Sequence, residues 1–265
     1  MYNFNYKKAS SRDDAVAAQS SADDGSYLAG GMTLIPTLKQ RLAQPSDLID
    51  LADVGDLAGI SDDGGAITIG AMTTHATVAE SEVVTSKIPA LAALAGHIGD
   101  PQVRNRGTIG GSIANNDPAA DYPAGCVGLN ATIITNKREL PAEDFFTDLF
   151  ETALEEGELV TAVSFPIPDK AAYAKFPNPA SRYAIVGVMV AQTGGETRAA
   201  VTGASQSGVF RAADIEAALG SGLDAAAAKE VKVSADNLNA DIHASAEYRA
   251  HLISIMASRA AAAAG

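Results

Sequence analysis

The chain has 265 residues, 47% of them hydrophobic, with 19 Lys and Arg against 32 Asp and Glu and a formal net charge of −13. A negative excess of this size repels phosphate backbones and anionic lipid surfaces, which argues against nucleic acid as a partner. No long uncharged apolar run exists to form a transmembrane segment, and the opening MYNFNYKKASSRDD lacks an apolar signal region, so a cytoplasmic location is expected.

Taken in chain order, residues 1–6 read as an edge strand, and Ser11 followed by Arg12-Asp13-Asp14 reads as a capped helix with acids in its first turn. Asp24-Gly25 marks a turn and 26–29 a short buried strand. Gly30-Gly31-Met32-Thr33 then leads into a helical pattern with Leu34, Leu38 and Leu42 on one face, Thr33 as N-cap and an end near Pro45. Residues 47–51 add a strand, completing a first α/β unit over 1–57.

From residue 58 the pattern changes. GISDDGGAITIGA reads as two strands turning at Asp63-Gly64-Gly65, with helices expected over 74–81 and 87–98. A glycine-rich stretch, 99–124, separates these from a helix over 119–129 and strands over 131–135 and 158–167. Pro166, Pro168, Pro177 and Pro179 bracket a loop taken as the boundary of a last domain, 169–265, so the second unit covers 58–168. That last domain reads as strands over 183–192 and 197–202 joined at Gly194-Gly195, then helices over 212–219, 225–231 and 245–264, with a frayed alanine-rich tail from Ala257.

Two glycine pairs carry the chemistry. In Thr108-Ile109-Gly110-Gly111-Ser112 and in Ala29-Gly30-Gly31-Met32-Thr33-Leu34, bare backbone N–H groups can form a nest around an anion such as a diphosphate, the second assisted by a helix N-terminus. A chain this acidic would bind a diphosphate through such local dipoles rather than a basic patch. GxGxxG is absent, as is Gly-Lys-Ser or Gly-Lys-Thr, so neither a conventional NAD domain nor a P-loop is indicated. Cys126, the single cysteine, lies in an apolar run and reads as a small core residue; alone it cannot ligate an iron–sulfur cluster. His75, His97, His243 and His251 show no HxH or HExxH spacing, and no nucleophile, base and orienting acid stand together, so no metal ligand or catalytic residue is assigned.

In order along the chain, Ala29 to Leu34, Thr68-Ile69-Gly70-Ala71-Met72-Thr73-Thr74, the stretch 99–124, Asn178-Pro179-Ala180-Ser181-Arg182-Tyr183-Ala184 and Asp241-Ile242-His243-Ala244-Ser245-Ala246-Glu247-Tyr248-Arg249 resemble the FAD-binding medium subunit of molybdenum hydroxylases, the family of the carbon monoxide dehydrogenase medium subunit and the xanthine dehydrogenase flavin domain. The resemblance runs nearly end to end and departs at Met32, where relatives commonly carry His or Gln; a thioether donates nothing, so a contact there falls to the backbone. It implies an α+β fold: a two-lobed FAD-binding domain of the vanillyl-alcohol oxidase (PCMH) type plus a C-terminal antiparallel sheet with helices.

It further implies an oxidoreductase subunit that binds FAD and relays electrons from [2Fe-2S] clusters of a small partner subunit to an external acceptor. A large partner would hold the molybdenum pterin, in a dimer of heterotrimers. Residues 29–34, Thr108, Ile109, Gly110, Gly111, Ser112 and Asn115 would hold the cofactor. Asp121 reads either as an acceptor for ribityl or ribose hydroxyls or as a helix N-terminal acid. Tyr183 reads as a flavin-stacking aromatic or a core strand residue, and Lys175 as a charge beside the flavin ring or a solvated loop residue. Arg104 and Arg106 reach a phosphate or face water, the second being favoured. The alternative function is a free-standing FAD-dependent oxidase or reductase with its own small-molecule substrate.

Overall fold

The computed structural model describes all 265 residues, Met1–Gly265. The N-terminal unit is a parallel three-stranded sheet in which β3 (Asp47–Asp50) lies between β1 (Asn5–Lys8) and β2 (Gly25–Leu28). Helix α1 (Arg12–Ser20) begins where the Ser11 hydroxyl accepts from the Asp14 N–H, leaving Asp13 and Asp14 in the positive first turn. Helix α2 (Leu34–Lys39) is shorter than the apolar spacing predicts. Arg41 turns left-handed at φ 62°, so Leu42 leaves the helix face and is 75% exposed. Thr33 sits at the N-cap position but makes no side-chain capping bond, so its hydroxyl stays free.

The second unit centres on an antiparallel five-stranded sheet, with β4 (Ile60–Asp62), β5 (Ala66–Gly70), β6 (Thr132–Thr135), β7 (Glu139–Pro141) and β10 (Val160–Pro166) in the order β4-β5-β10-β6-β7. Along β5 the alternation of Ile67 and Ile69 with Thr68 turns the isoleucines into the core. Helices α3 (His75–Glu80), α4 (Glu82–Lys87), α5 (Pro89–Gly96), α6 (Pro101–Arg104), α7 (Ile109–Asn115) and α8 (Asp121–Gly128) follow β5, and α9 (Ala142–Phe145) follows β7. A small hairpin, β8 (Phe146–Asp148) with β9 (Glu151–Thr152), precedes β10.

The C-terminal unit is a four-stranded antiparallel sheet of β11 (Lys170–Pro177), β12 (Ala184–Thr193), β13 (Glu196–Ser205) and β14 (Gly208–Arg211), in that order. The proline-bracketed segment expected as a loop is therefore largely the edge strand β11. Prolines fit because they fall outside the strand or at its end, where the register with β12 shifts between Phe176 and Pro177. Helices α10 (Ala213–Leu219), α11 (Ala225–Glu230) and α12 (Ala246–Ala264) follow. The alanine-rich end of α12 is not frayed. Ala257, Ala260 and Ala261 are buried, their small side chains completing the core between the helix and the sheet.

Strand β12 is apolar on both faces because both are covered. Val186, Val188 and Val190 pack toward α12, while Met189 and Ala191 belong to the core of the second unit together with Leu91, Leu94, Tyr122 and Val127. The Gly128 backbone lies so close to Met189 that a Cβ there would come within 2.6 Å of its side chain. Helix α8, buried along its whole length, is thus the wedge between the C-terminal sheet and the helices of the second unit. In the C-terminal motif, Arg249 is buried and donates to the Ile185 and Gly203 carbonyls and to Asp241, pinning α12 to the sheet.

Candidate functional site

The two glycine-rich loops meet. A Cβ at Gly30 would lie 1.9 Å from the Arg106 carbonyl oxygen and 2.9 Å from Gly107 Cα, so only glycine allows the first loop to lie against the segment leading into α7. Gly31 supplies the left-handed turn at φ +73°. Both loops line one cleft of about 740 Å³, reached also by Met72, Gly99, Asp117, Arg182 and the segment 154–160. Ala29, Gly30, Gly31, Met32, Thr33, Leu34, Thr108, Gly110, Gly111, Ser112, Asn115, Asp121 and Tyr183 all lie in its wall; Ile109 and Lys175 do not.

The two loops offer different things. The six successive backbone N–H groups of residues 29–34 donate to no group of the chain, the last of them opening α2. Four of the five amides of the second loop are taken: Ile109 N–H by Thr73 O, Gly110 N–H by Ala71 O, Gly111 N–H by the Thr108 hydroxyl and Ser112 N–H by Thr108 O, while the Thr108 N–H donates to no group of the chain. The nest expected at Thr108 to Ser112 is therefore closed by the chain's own acceptors at all but its first position. Gly110 is glycine because a Cβ would strike Ala71 at 2.5 Å, and Ile109 turns into the core. What this loop presents to the cleft is small residues and hydroxyls, of which that of Ser112 has no partner within the chain.

Asp121 is the first residue of α8 and at the same time lines the cleft. Its carboxylate accepts from the Tyr173 hydroxyl at 2.5 Å and from Lys175 Nζ at 2.8 Å, both acid and amine being 4% exposed. Burial pushes the Asp121 carboxyl up, and Lys175 and Tyr173 oppose that push. Lys175 is thus neither a solvated loop charge nor a cleft group; it is the buried counter-ion of Asp121 and also donates to the His97 carbonyl. Arg104 donates to the carbonyls of Ile98 and Gly99, and Arg182 to that of Gly99. Three cations therefore cap the C-terminal end of α5 and fix the 97–99 bend at the cleft. Arg106 stays exposed, and only its carbonyl oxygen meets the first loop.

The NPASRYA turn brings Tyr183 to the cleft. Asn178 Oδ1 accepts from the Ala180 and Ser181 N–H groups, Arg182 adopts φ +63°, and Tyr183 is left 46% exposed, with burial of the remainder pushing its hydroxyl pKa up. Glu158 closes the opposite end beside Tyr27, whose hydroxyl donates to the Gly157 carbonyl. The carboxylate of Glu158 is enclosed and paired with Arg138 at 3.0 Å, so neither it nor Asp121 leaves an uncompensated negative charge in the wall. His75, directly after the Thr73-Thr74 motif, was not legible as a site residue: its signal, a lone histidine opening a helix, is shared with ordinary core histidines. It is buried in the cleft wall, and burial, then Arg104, push its imidazole down to about 4, so it is neutral near pH 7.

A long cleft with a run of free amides and no basic patch fits a dinucleotide diphosphate. Comparison with known proteins agrees. The model of the FAD binding domain in molybdopterin dehydrogenase matches residues 2–168. The nicotine 6-hydroxylase medium subunit of Paenarthrobacter nicotinovorans is 34% identical over 261 residues, 94% of this chain and 92% of that protein. The carbon monoxide dehydrogenase medium chain of Afipia carboxidovorans is 35% identical, covering 97% of this chain and 95% of the other. Among solved structures, carbon monoxide dehydrogenase from Hydrogenophaga pseudoflava superposes with a TM-score of 0.89 at 34% identity, over 99% of this chain and 97% of that one. Quinoline 2-oxidoreductase from Pseudomonas putida 86 gives 0.89 at 29%, with the same coverage.

Proposed function

Since this chain belongs to the family of FAD-binding medium subunits of molybdopterin dehydrogenases, we propose that it is the flavin-carrying electron relay of a molybdenum hydroxylase, taking electrons from [2Fe-2S] clusters on a small partner subunit and passing them to an external acceptor. Substrate oxidation then belongs to a large molybdenum-binding partner, the whole assembling as a dimer of heterotrimers. The observation that carries the reading is the run of six unpartnered N–H groups at 29–34, set in the same cleft as the Thr108–Ser112 loop.

The residues fit the cofactor as follows. The amides of 29–34 and the N-terminus of α2 hold the diphosphate, and the hydroxyls of Thr33, Thr108 and Ser112 add donors at its edges. Asn115 and Asp121 lie along the same wall, and Tyr183 covers the ring system at the open end. Lys175 acts through Asp121, opposing the upward push of burial on its carboxyl and fixing it in position. When bound, FAD supplies one- and two-electron transfer, the capacity that a junction between single-electron clusters and a two-electron acceptor requires.

Relatives named for nicotine and for carbon monoxide are similar to this chain to within a percentage point, so the similarity singles out neither substrate. The test is purification of the chain with its native partners. A flavin absorption spectrum with co-purifying molybdenum and iron is expected, and addition of the complex's reducing substrate should bleach the flavin only when the molybdenum and iron–sulfur subunits are both present. A colourless preparation, or steady turnover of a small molecule by the isolated chain, overturns the reading.

A further inference from the structure

We propose that His75 is a cofactor-binding residue, its Nε2–H donating a hydrogen bond to a phosphoryl oxygen of the dinucleotide; the inference rests on the flavin reading above and assigns a contact within that site.

His75 is 4% exposed, yet no hydrogen bond within the chain satisfies its ring. Nδ1 is fully enclosed and without a partner, whereas Nε2 is not enclosed, and His75 lines the cleft together with Gly107. The imidazole is held in place by the backbone bond from His75 N–H to Gly107 O at 3.0 Å and by the ring of Tyr122, 5.4 Å away and tilted by 47°. Its orientation is fixed by packing, and its one reachable nitrogen points where a ligand would lie.

Gly107 supplies a second, independent sign. Its backbone does not need glycine, since it has no positive φ, yet a Cβ there would lie 2.6 Å from His75 Nε2 and 2.9 Å from Cδ2. The missing side chain lets the loop backbone pack against that edge of the imidazole without covering Nε2. Gly107 is in turn the residue against which Gly30 packs, so that edge lies one layer from the run of free amides.

The tautomer follows from the enclosure. A neutral imidazole carries one N–H, and a buried donor without a partner is rarer and costlier than a buried acceptor without one. The proton therefore resides on Nε2, and the lone pair on the enclosed Nδ1. A neutral donor suits a diphosphate whose charge is met by a run of six free amides.

The test uses the full chain stripped of flavin and retitrated with FAD, with ADP as a competitor that carries the diphosphate but no ribityl chain. His75→Leu is expected to weaken both FAD and ADP about tenfold. His75→Gln, whose amide N–H₂ reaches the position of Nε2, is expected to restore both to within about threefold. In the ¹⁵N-labelled apoprotein, Nε2 should be the protonated nitrogen and its resonance should move on adding ADP. Unchanged FAD and ADP affinity in a folded His75→Leu chain, a Gln variant as weak as Leu, loss of FAD affinity with ADP unaffected, or a proton on Nδ1 each overturns the assignment. Failure of the wild-type chain to take up FAD would instead overturn the flavin reading on which it rests.

Discussion

Gly30 and Gly111 look alike in the sequence, each beside another glycine, but their surroundings give them unequal weight. A Cβ at Gly30 would collide with backbone, the Arg106 carbonyl, which cannot step aside; at Gly111 it would meet the Thr108 hydroxyl at 3.0 Å and Ala29 Cβ at 3.5 Å, contacts that small adjustments relieve. Gly30→Ala should cost about 3 kcal/mol of stability and much of the FAD affinity, whereas Gly111→Ala should cost under about 1 kcal/mol. Urea unfolding and flavin titration of the two variants decide this, and equal costs would mean that the loops do not meet as described. At this scale the sequence shows which residues line the cleft better than it shows what they do there. Glycine pairs mark close approach of backbone to something. Whether the amides beside them stay free, as at 29–34, or are taken by another segment of the same chain, as for Gly110 against Ala71, depends on tertiary neighbours absent from any local pattern.

At the scale of elements, the bend after β9 is tied to the β6–β7 turn by one enclosed carboxylate. Burial would raise the Glu158 carboxyl, but Arg138, the Glu155 N–H and the Thr135 hydroxyl more than offset this and hold it down to about 2. A carboxyl whose folded pKa lies below its unfolded value near 4.5 contributes stability that is present above that value and fades as pH falls toward 2. Wild type should therefore lose about 2 kcal/mol more than Glu158→Gln between pH 6 and pH 3, as read from urea unfolding at the two pH values. Parallel acid limbs in the two proteins would show that the pair contributes nothing. The elements themselves were largely legible, because period-two and helical spacing reflect burial on one face: β5, α1 and β12 lie within a residue or two of expectation, and the β12–β13 hairpin turns at Gly194-Gly195 as expected, with β13 running three residues further. Two of the misses share a cause. The strand character of β11 and the packed alanine tail of α12 are each set by a neighbour in space, which overrides local preference, while α2 ends where the backbone turns left-handed at Arg41.

Across the whole molecule, the core does not stop at the boundary expected near residue 168. Tyr173, Met189, Ala191 and Ala200 of the C-terminal sheet share one cluster with the interior of the second unit, and α8, fully buried, has one end at the cleft and its flank on β12 and β13. The cleft draws its wall from all three units: 29–34 from the first, Thr108 to Asp121 from the second, Ser181 to Tyr183 from the third. A ligand spanning it binds only the fully assembled chain, so its binding energy is added to one cooperative transition rather than to a separable domain. At 100-fold excess over Kd, FAD should raise the stability by about 2.7 kcal/mol, which for a chain of this size is a shift of about 5 to 10 °C. Differential scanning calorimetry should show one peak that moves as a whole as FAD is added. Two peaks, of which FAD moves only one, would mean that the shared core does not couple the units and that the C-terminal sheet contributes no energy to holding the cofactor.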